Sequence, residues 1–168
     1  MEIGKFYSFK IKGWQYAING VVCDIGSDWI LIKAIIGDFQ YDGFSIIRTK
    51  HIKEWIHDER NIFIEHVLLA KGIMDISFPN IPLDNLTTPF LWFLQQKEII
   101  FFTPKDESDG FMGEIIKLRK RQFDLHPMLS EGIWSLDTWN FSINDIIVIE
   151  WQSDYIQSLI KYSQTIVS

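Results

Sequence analysis

The chain has 168 residues, with 16 lysines and arginines against 22 aspartates and glutamates, which gives a formal net charge of −6. Hydrophobic residues make up 47% and charged residues 23%, and this globular composition excludes an extended disordered chain. The single cysteine, Cys23, excludes an internal disulfide and any zinc site built from several cysteines. The acidic balance argues against a general nucleic-acid binder, which needs a basic face.

The sequence shows neither a secretory signal nor a membrane span. No basic segment followed by an apolar one comes after Met1. The longest apolar stretches, such as 67–70 and 89–94, are far shorter than the roughly 20 residues that cross a bilayer. A free thiol without a signal fits a reducing compartment. We therefore expect a cytoplasmic protein with no membrane association.

Short apolar runs separated by turn residues fill the first half of the chain. Residues Gly26-Ser27-Asp28 and Asp42-Gly43 are turn-forming clusters between such runs. This pattern is typical of a small antiparallel barrel or sandwich. The predicted strands are 5–12, 21–25, 29–36, 44–48 and 52–55.

The third of these strands carries apolar residues on both of its faces. Alternation places Trp29 and Leu31 on one face and Ile30 and Ile32 on the other. We expect one face to close the barrel and the other to pack under the helix that follows. Trp29 should therefore be buried.

The hydrophobic period changes to that of an amphipathic helix over residues 58–71, with Asp58 as the N-cap and Gly72 just past the end. Three of the five prolines then fall within 75–90. We expect a linker over 75–96 that contains a short helix at 86–96.

The second half repeats the order of elements seen in the first half. Gly113 corresponds to Gly20, and Glu150-Trp151 corresponds to Glu54-Trp55. An internal duplication explains this correspondence, although any two strand-rich halves share turn spacing by chance. The repeat predicts one unit at 1–74 and a second at 97–168. The predicted elements of the second half are strands 99–102, 111–118, 122–126, 133–136 and 143–151, and a helix at 153–162.

The first half resembles the Sm-like, SH3-type small barrel. Gly20 stands where such barrels bend their second strand, and Ile46-Ile47-Arg48 resembles the second Sm motif. The resemblance implies a mainly β protein with helices (α+β), built as two tandem antiparallel barrels that are each followed by a helix. The motif continues with Thr49-Lys50 instead of Gly-Asn, and only Asp28 matches the uridine-binding residues. The resemblance therefore implies the fold without an RNA site.

No catalytic or metal-binding set is visible in the sequence. The four histidines show no His-x-x-x-His spacing, and phosphate-loop, dinucleotide and hydrolase motifs are absent. Cys23 lies in an apolar run, where a thiol is buried and unreactive. We expect no enzyme activity, no catalytic residue, no cofactor and no metal.

The candidate partner surface combines a basic cluster with two tryptophans. Positive charges beside aromatic rings suit a phosphate backbone, but a hairpin tip is also where charges are normally solvated. Tryptophan is common at interaction hot spots, and it also fills cores. The candidate residues are Arg119, Lys120, Arg121, Trp134 and Trp139.

These features favour a non-enzymatic cytoplasmic protein that binds another protein. One version of this hypothesis is an immunity-type inhibitor that presents carboxylates to a basic toxin. The first alternative is an Sm-like RNA-binding protein that uses Arg48, Lys50 and the tip at 117–121. The second alternative is an enzyme of unknown class. The net charge makes nucleic acid the less favoured partner, and the oligomeric state stays open.

Overall fold

The structure is a computed structural model that describes residues 1–105 and 109–166. Ten strands and three α-helices form these ranges. The strands are β1 (Phe6–Ile11), β2 (Ile18–Ile25), β3 (Trp29–Ile36), β4 (Gln40–Arg48), β5 (Ile52–Ile56), β6 (Ile99–Pro104), β7 (Phe111–Leu118), β8 (Gln122–Met128), β9 (Trp139–Ser142) and β10 (Ile146–Trp151). The helices are α1 (Glu59–Ala70), α2 (Thr88–Gln96) and α3 (Asp154–Ile166). None of them is long and apolar enough to cross a membrane.

All ten strands pair in one antiparallel sheet, in the order β5-β1-β2-β3-β4-β10-β6-β7-β8-β9. The first half of this list and the second half have the same order when the strands of each half are numbered separately. In both halves a 3-10 turn separates the fourth strand from the fifth, at Thr49–His51 and at Ile143–Asp145. An α-helix follows the fifth strand in each case. The predicted class, mainly β with helices, is confirmed.

The register agrees for one of the two predicted correspondences between the halves. Gly20 of β2 lies opposite Tyr7, and Gly113 of β7 lies opposite Ile100. A register shift follows each glycine at the same distance along its strand, between 22 and 24 and between 115 and 117. At both glycines a Cβ atom would collide with the neighbouring strand.

The predicted match between Trp55 and Trp151 is wrong. Trp55 lies opposite Phe9 in β1, whereas Trp151 lies opposite Ile100 in β6. Since Ile100 takes the place of Tyr7, Trp151 is displaced by two residues from the position that corresponds to Trp55.

The two faces of β3 enter different cores, as the alternation predicts. Trp29 is fully buried together with Leu31 in the largest core, while Ile30 and Ile32 lie in a second core that also contains Ile147 and Val148 of β10. The prediction that the helix after the first five strands packs on one face of β3 is wrong, however, because α2 packs there instead. The ring of Phe90 in α2 contacts Trp29 at a centroid distance of 6.1 Å.

Helix α1 covers a different part of the first half. Its Asp58 N-cap and Asn61 form a capping box, in which each side chain bonds the backbone of the other. Ile64 and Leu68 then pack on Phe6 and Val21 of the sheet. Helix α3 packs in a comparable way on β6–β8, where Ile156 contacts the two methionines Met112 and Met128.

The Pro-containing segment 75–96 inserts several of its apolar side chains into the core, while other residues of the segment are exposed. Ile81, Leu83, Phe90 and Phe93 are all buried. The carbonyl oxygen of Leu83 accepts hydrogen bonds from the backbone of both Asp28 and Trp29, at 3.2 and 3.1 Å. The segment therefore packs both halves together while it connects them.

The predicted strand at 133–136 is wrong, because the chain turns there. Gly132 adopts φ +72°, and its N–H donates to the carbonyl oxygen of Leu129 at 2.9 Å. Only a single bridge, between Met128 and Trp134, touches the sheet. The fourth strand of this half is β9, which begins at Trp139.

Candidate functional site

The predicted basic residues occupy the turn between β7 and β8. Arg119, Lys120 and Arg121 are all exposed. Arg119 donates a hydrogen bond of 2.6 Å to Asp124. This bond and a second one from Asn140 hold the pKa of Asp124 below its usual value. Asp124 therefore balances the positive charge of Arg119. The uncompensated positive charge of the tip comes from Lys120 and Arg121.

Trp134 lies on the connection between β8 and β9, and Trp139 is the first residue of β9. The Trp134 ring stacks on His126 at 4.7 Å, and Trp139 contacts Phe111 edge to face at 6.0 Å. Leu136, between the two tryptophans, is completely exposed, and Ile133, directly before Trp134, is 51% exposed. We name residues 133–139 the apolar loop.

The structure does not bring the predicted residues together into one surface. The basic tip adjoins Gln122 at the start of β8, whereas Trp134 bridges to Met128 at its end. A strand rises about 3.3 Å per residue, so roughly 20 Å separate the two ends. Trp134 and the basic tip therefore lie at opposite ends of β8, whereas Trp139 pairs with Leu125 between those ends.

A second basic region surrounds His51. Of its residues, only Arg48 and Lys50 were candidates from the sequence. Burial and the positive charges of Arg48, Lys50, Lys105 and Lys12 lower the pKa of His51 to about 4. Arg48 is itself buried, and its guanidinium donates to the carbonyl oxygen of Asn144 at 2.7 Å. Arg48 thus binds the protein's own backbone, while Lys50 is exposed.

The carboxylate of Glu150, which was not a candidate from the sequence, lies at the junction of the two halves. Glu150 of β10 lies directly opposite Ser45 of β4 on one side and Phe101 of β6 on the other. Directly opposed residues share a face of the sheet. The register continues this row to Ile32 beyond Ser45, and to Met112 and Met128 beyond Phe101. Glu150 is the one ionisable residue in that row.

Two depressions flank Glu150. One, of about 360 Å³, is lined by Asp42, Phe101, Ser153 and Tyr155 as well as Glu150. The other, of about 340 Å³, lies on the opposite side and includes Ser45 in its lining. Burial raises the pKa of Glu150 to about 7, and the nearby charge of Asp42 acts in the same direction. A shifted pKa in a cleft is a common feature of functional sites.

The sequence did contain a signal for this site. Glu150 interrupts an otherwise apolar strand, and a charged residue in such a run is unusual when the strand is buried. In the sequence, Glu150 is otherwise notable only as part of the Glu-Trp pair that marks the internal repeat. Without the pairing of β10 with β4 and β6, the two neighbours of its side chain were unknown.

The remaining candidates have structural surroundings. Cys23 is buried, and burial raises the pKa of its thiol to about 11. Within residues 1–105 and 109–166, no group of three or more His, Cys, Asp and Glu side chains is placed to hold a metal ion. His57 contacts the backbone oxygen of Phe6 through Nδ1 at 2.9 Å.

Comparisons with models of known protein families, with curated proteins and with solved structures found no match.

Proposed function

We propose that the chain is a non-enzymatic cytoplasmic binding protein that acts through contacts with another protein. The observation that carries this proposal is the apolar loop, in which Leu136 is completely exposed between Trp134 and Trp139. Large apolar side chains grouped on a surface mark interaction sites, and tryptophan is frequent at their energetic centres. An immunity-type inhibitor is the specific form of this proposal, since a net charge of −6 suits a basic partner.

The frame of this binding protein is a tandem pair of Sm-like, SH3-type barrels that arose by internal duplication. The identical strand order of the halves supports this view. The matching register shifts after Gly20 and Gly113 support it further, because bulges are specific features of a fold.

A capture experiment tests the protein-binding function. The tagged full-length chain is incubated with extract from its native cytoplasm, with and without nuclease, and bound proteins are identified by mass spectrometry. The test variant is Ile133→Asp with Leu136→Asp. The matched control is Tyr16→Asp, because Tyr16 is 72% exposed in the first half, away from the loop.

We expect one partner that resists nuclease, binds the wild type and the Tyr16→Asp variant, and is lost from the loop variant. Circular dichroism first shows that both variants are folded. A partner that nuclease releases, or one that the loop variant retains, contradicts the proposal.

The basic region around His51 favours a second candidate function, Sm-like RNA binding. Lys12, Lys50 and Lys105 lie close enough to His51 to act on its pKa. Fluorescence anisotropy with labelled mixed-sequence single-stranded RNA distinguishes the two functions. The RNA function requires an affinity that falls steeply as the salt concentration rises. It also requires that Lys50→Glu, or replacement of residues 119–121 by glutamate, weakens binding. The protein-binding function requires no such affinity at physiological ionic strength.

A further inference from the structure

We propose that helix α1 packs against α1 of a second copy of the chain, with the two helices antiparallel across a twofold axis. In such a contact both copies contribute the same surface. The contact lies on the first half of the chain, so it does not depend on the apolar loop of the second half or on the protein contact proposed there.

The outer face of α1 is apolar between its first and last turns. The inner face packs on the sheet of the first half. Every exposed residue from 61 to 70 other than His66 is apolar, and Ile62, Phe63 and Leu69 are 41%, 56% and 59% exposed. A helix that is apolar on both sides is normally covered on both sides. Within residues 1–105 and 109–166 the outer face of α1 stays open.

The helix in the corresponding place of the second half has a more polar outer face. Helix α3 follows the fifth strand of its half as α1 does, and one of its sides packs on the sheet. Its exposed residues include Gln157, Ser158, Lys161 and Gln164. The same place in the fold thus accepts polar residues, so packing within one chain does not require the apolar face of α1. A contact outside the chain accounts for it.

The charges at the two ends of α1 favour a second copy as the occupant. Glu59 lies in the first turn and Lys71 at the C-cap, and both are exposed. In the described part of the chain neither of them forms an ion pair, whereas Arg60 is paired with Asp38 at 2.9 Å. An antiparallel copy brings Glu59 beside Lys71 at both ends. A partner of one charge sign would face a like charge at one of them.

The spacing of the apolar side chains fits this arrangement. Residues seven apart lie nearly above one another on a helix, so Ile62 and Leu69 share one side of the outer face, and Phe63 and Ala70 share the other. A twofold axis near His66 brings Ile62 of one copy to Leu69 of the second, and Phe63 to Ala70. Each contact then occurs twice, as a self-complementary interface requires.

Sedimentation equilibrium of the full-length protein tests the proposal. The wild type is measured at up to about 1 mM, a concentration that reveals even millimolar dissociation constants. The test variant is Phe63→Gln with Leu69→Gln, which removes apolar surface and keeps a residue that favours helix. The matched control is Tyr155→Gln with Tyr162→Gln on α3, where the two side chains are 51% and 53% exposed. Circular dichroism first shows that each variant is folded.

We expect the mass of the wild type to rise with concentration from 19.8 kDa towards twice that value. The α1 variant should dimerise at least tenfold more weakly, while the α3 variant and the Ile133→Asp, Leu136→Asp variant of the apolar loop should match the wild type. A wild type that stays monomeric contradicts the proposal and leaves the face to a different partner. Equal dimerisation of the α1 variant, or loss of the dimer in the α3 or loop variant alone, contradicts it as well.

Charge reversals test the antiparallel orientation, and they keep the proposal testable if the apolar variant does not fold. Glu59→Lys alone and Lys71→Glu alone each place like charges at both ends of the contact. At low ionic strength, where surface charges are least screened, each should weaken dimerisation by at least about threefold. The variant with both changes restores opposite charges and should dimerise like the wild type. Unchanged single variants, or a double variant that does not recover, overturn the proposal.

Discussion

Trp29 shows how a single side chain connects the strands of the first half to the segment that follows them. Its indole N–H donates to the carbonyl oxygen of Leu86 at 3.2 Å, and its backbone N–H donates to Leu83 at 3.1 Å. The ring is completely buried against Phe90. Both the polar and the apolar parts of this tryptophan are therefore satisfied within the fold.

We expect Trp29→Ala to lower the free energy of unfolding by about 3–5 kcal/mol, because it leaves a cavity in a packed core and an unpaired carbonyl oxygen. Urea denaturation followed by circular dichroism measures the change. Trp55→Ala is the matched control, since Trp55 is 50% exposed on the edge strand β5. That control should change stability by less than about 1 kcal/mol. An unshifted midpoint for Trp29→Ala contradicts the core assignment.

The raised pKa of Glu150 predicts that the stability of the fold depends on pH. Folding raises its pKa from the ordinary value of 4.5 to about 7. Between these values the folded state holds the proton more tightly than the unfolded state. The stabilisation from this group is thus complete below pH 4.5 and is lost as the pH rises to about 7. The size of the change is on the order of 3 kcal/mol.

Glu150→Gln should remove this dependence and make the protein more stable than the wild type above neutral pH. Thermal unfolding of both proteins at a series of pH values measures the effect. Glu131→Gln, at an exposed position, should leave the profile of the wild type unchanged. His51, whose pKa is lowered to about 4, acts in the opposite direction in both proteins, so the difference between them is what isolates Glu150. If that difference does not change between about pH 4.5 and 7, Glu150 is not desolvated in the folded state.

At the scale of elements, local pattern predicted most of the strands and both long helices. The run 111–118 is predicted without error, because it begins directly after Asp109-Gly110, which favours a turn, and ends at the charged residues 119–121. The run 133–136 is apolar as well, but Gly132 turns the chain and leaves Ile133 exposed. Hydrophobicity alone does not distinguish a strand from an apolar loop.

The pairing of β4 with β10 had no local signal at all. The two strands are about a hundred residues apart, and apolar runs such as Ile46-Ile47 fit many partners equally well. The site at Glu150 depends on this pairing, which is why sequence reasoning missed it. By contrast, the burial of Cys23 could be predicted from the apolar sequence of its own strand.

Gly43 allows the β4–β10 junction to be tested. It adopts φ +76°, and a Cβ atom there would collide with the backbone of Trp151 and Gln152. Gly37 is the matched control, because it has φ +50° and open space around it. Both alanine variants bear the cost of about 1–2 kcal/mol for a left-handed residue.

Only Gly43→Ala should add the cost of separating β4 from the end of β10. We expect it to lower the free energy of unfolding by at least about 2 kcal/mol more than Gly37→Ala, as measured in urea. Equal effects of the two substitutions contradict the close approach of the strands at this point.

At the scale of the whole molecule, the largest core belongs to both halves. Trp29 and Phe44 enter it from the first half, Phe102 and Trp151 from the second, and Phe90 from the helix between them. A unit of about 70 residues has a small core, so further support adds substantially to its marginal stability. The shared core supplies that support, and side chains of α2 lie within it.

The protein should therefore unfold in one cooperative transition, although its two halves have the same strand order. Phe90 is completely buried in α2. Phe90→Ala should lower the stability of both halves by the same amount, about 3–5 kcal/mol. Hydrogen exchange in rising urea, read by mass spectrometry on peptides from each half, measures this directly. Leu91→Ala is the control from the same helix, because Leu91 is 43% exposed and should have a much smaller effect. Two separate transitions, or destabilisation of one half alone, would show that the halves are independent domains and that α2 is only a connection.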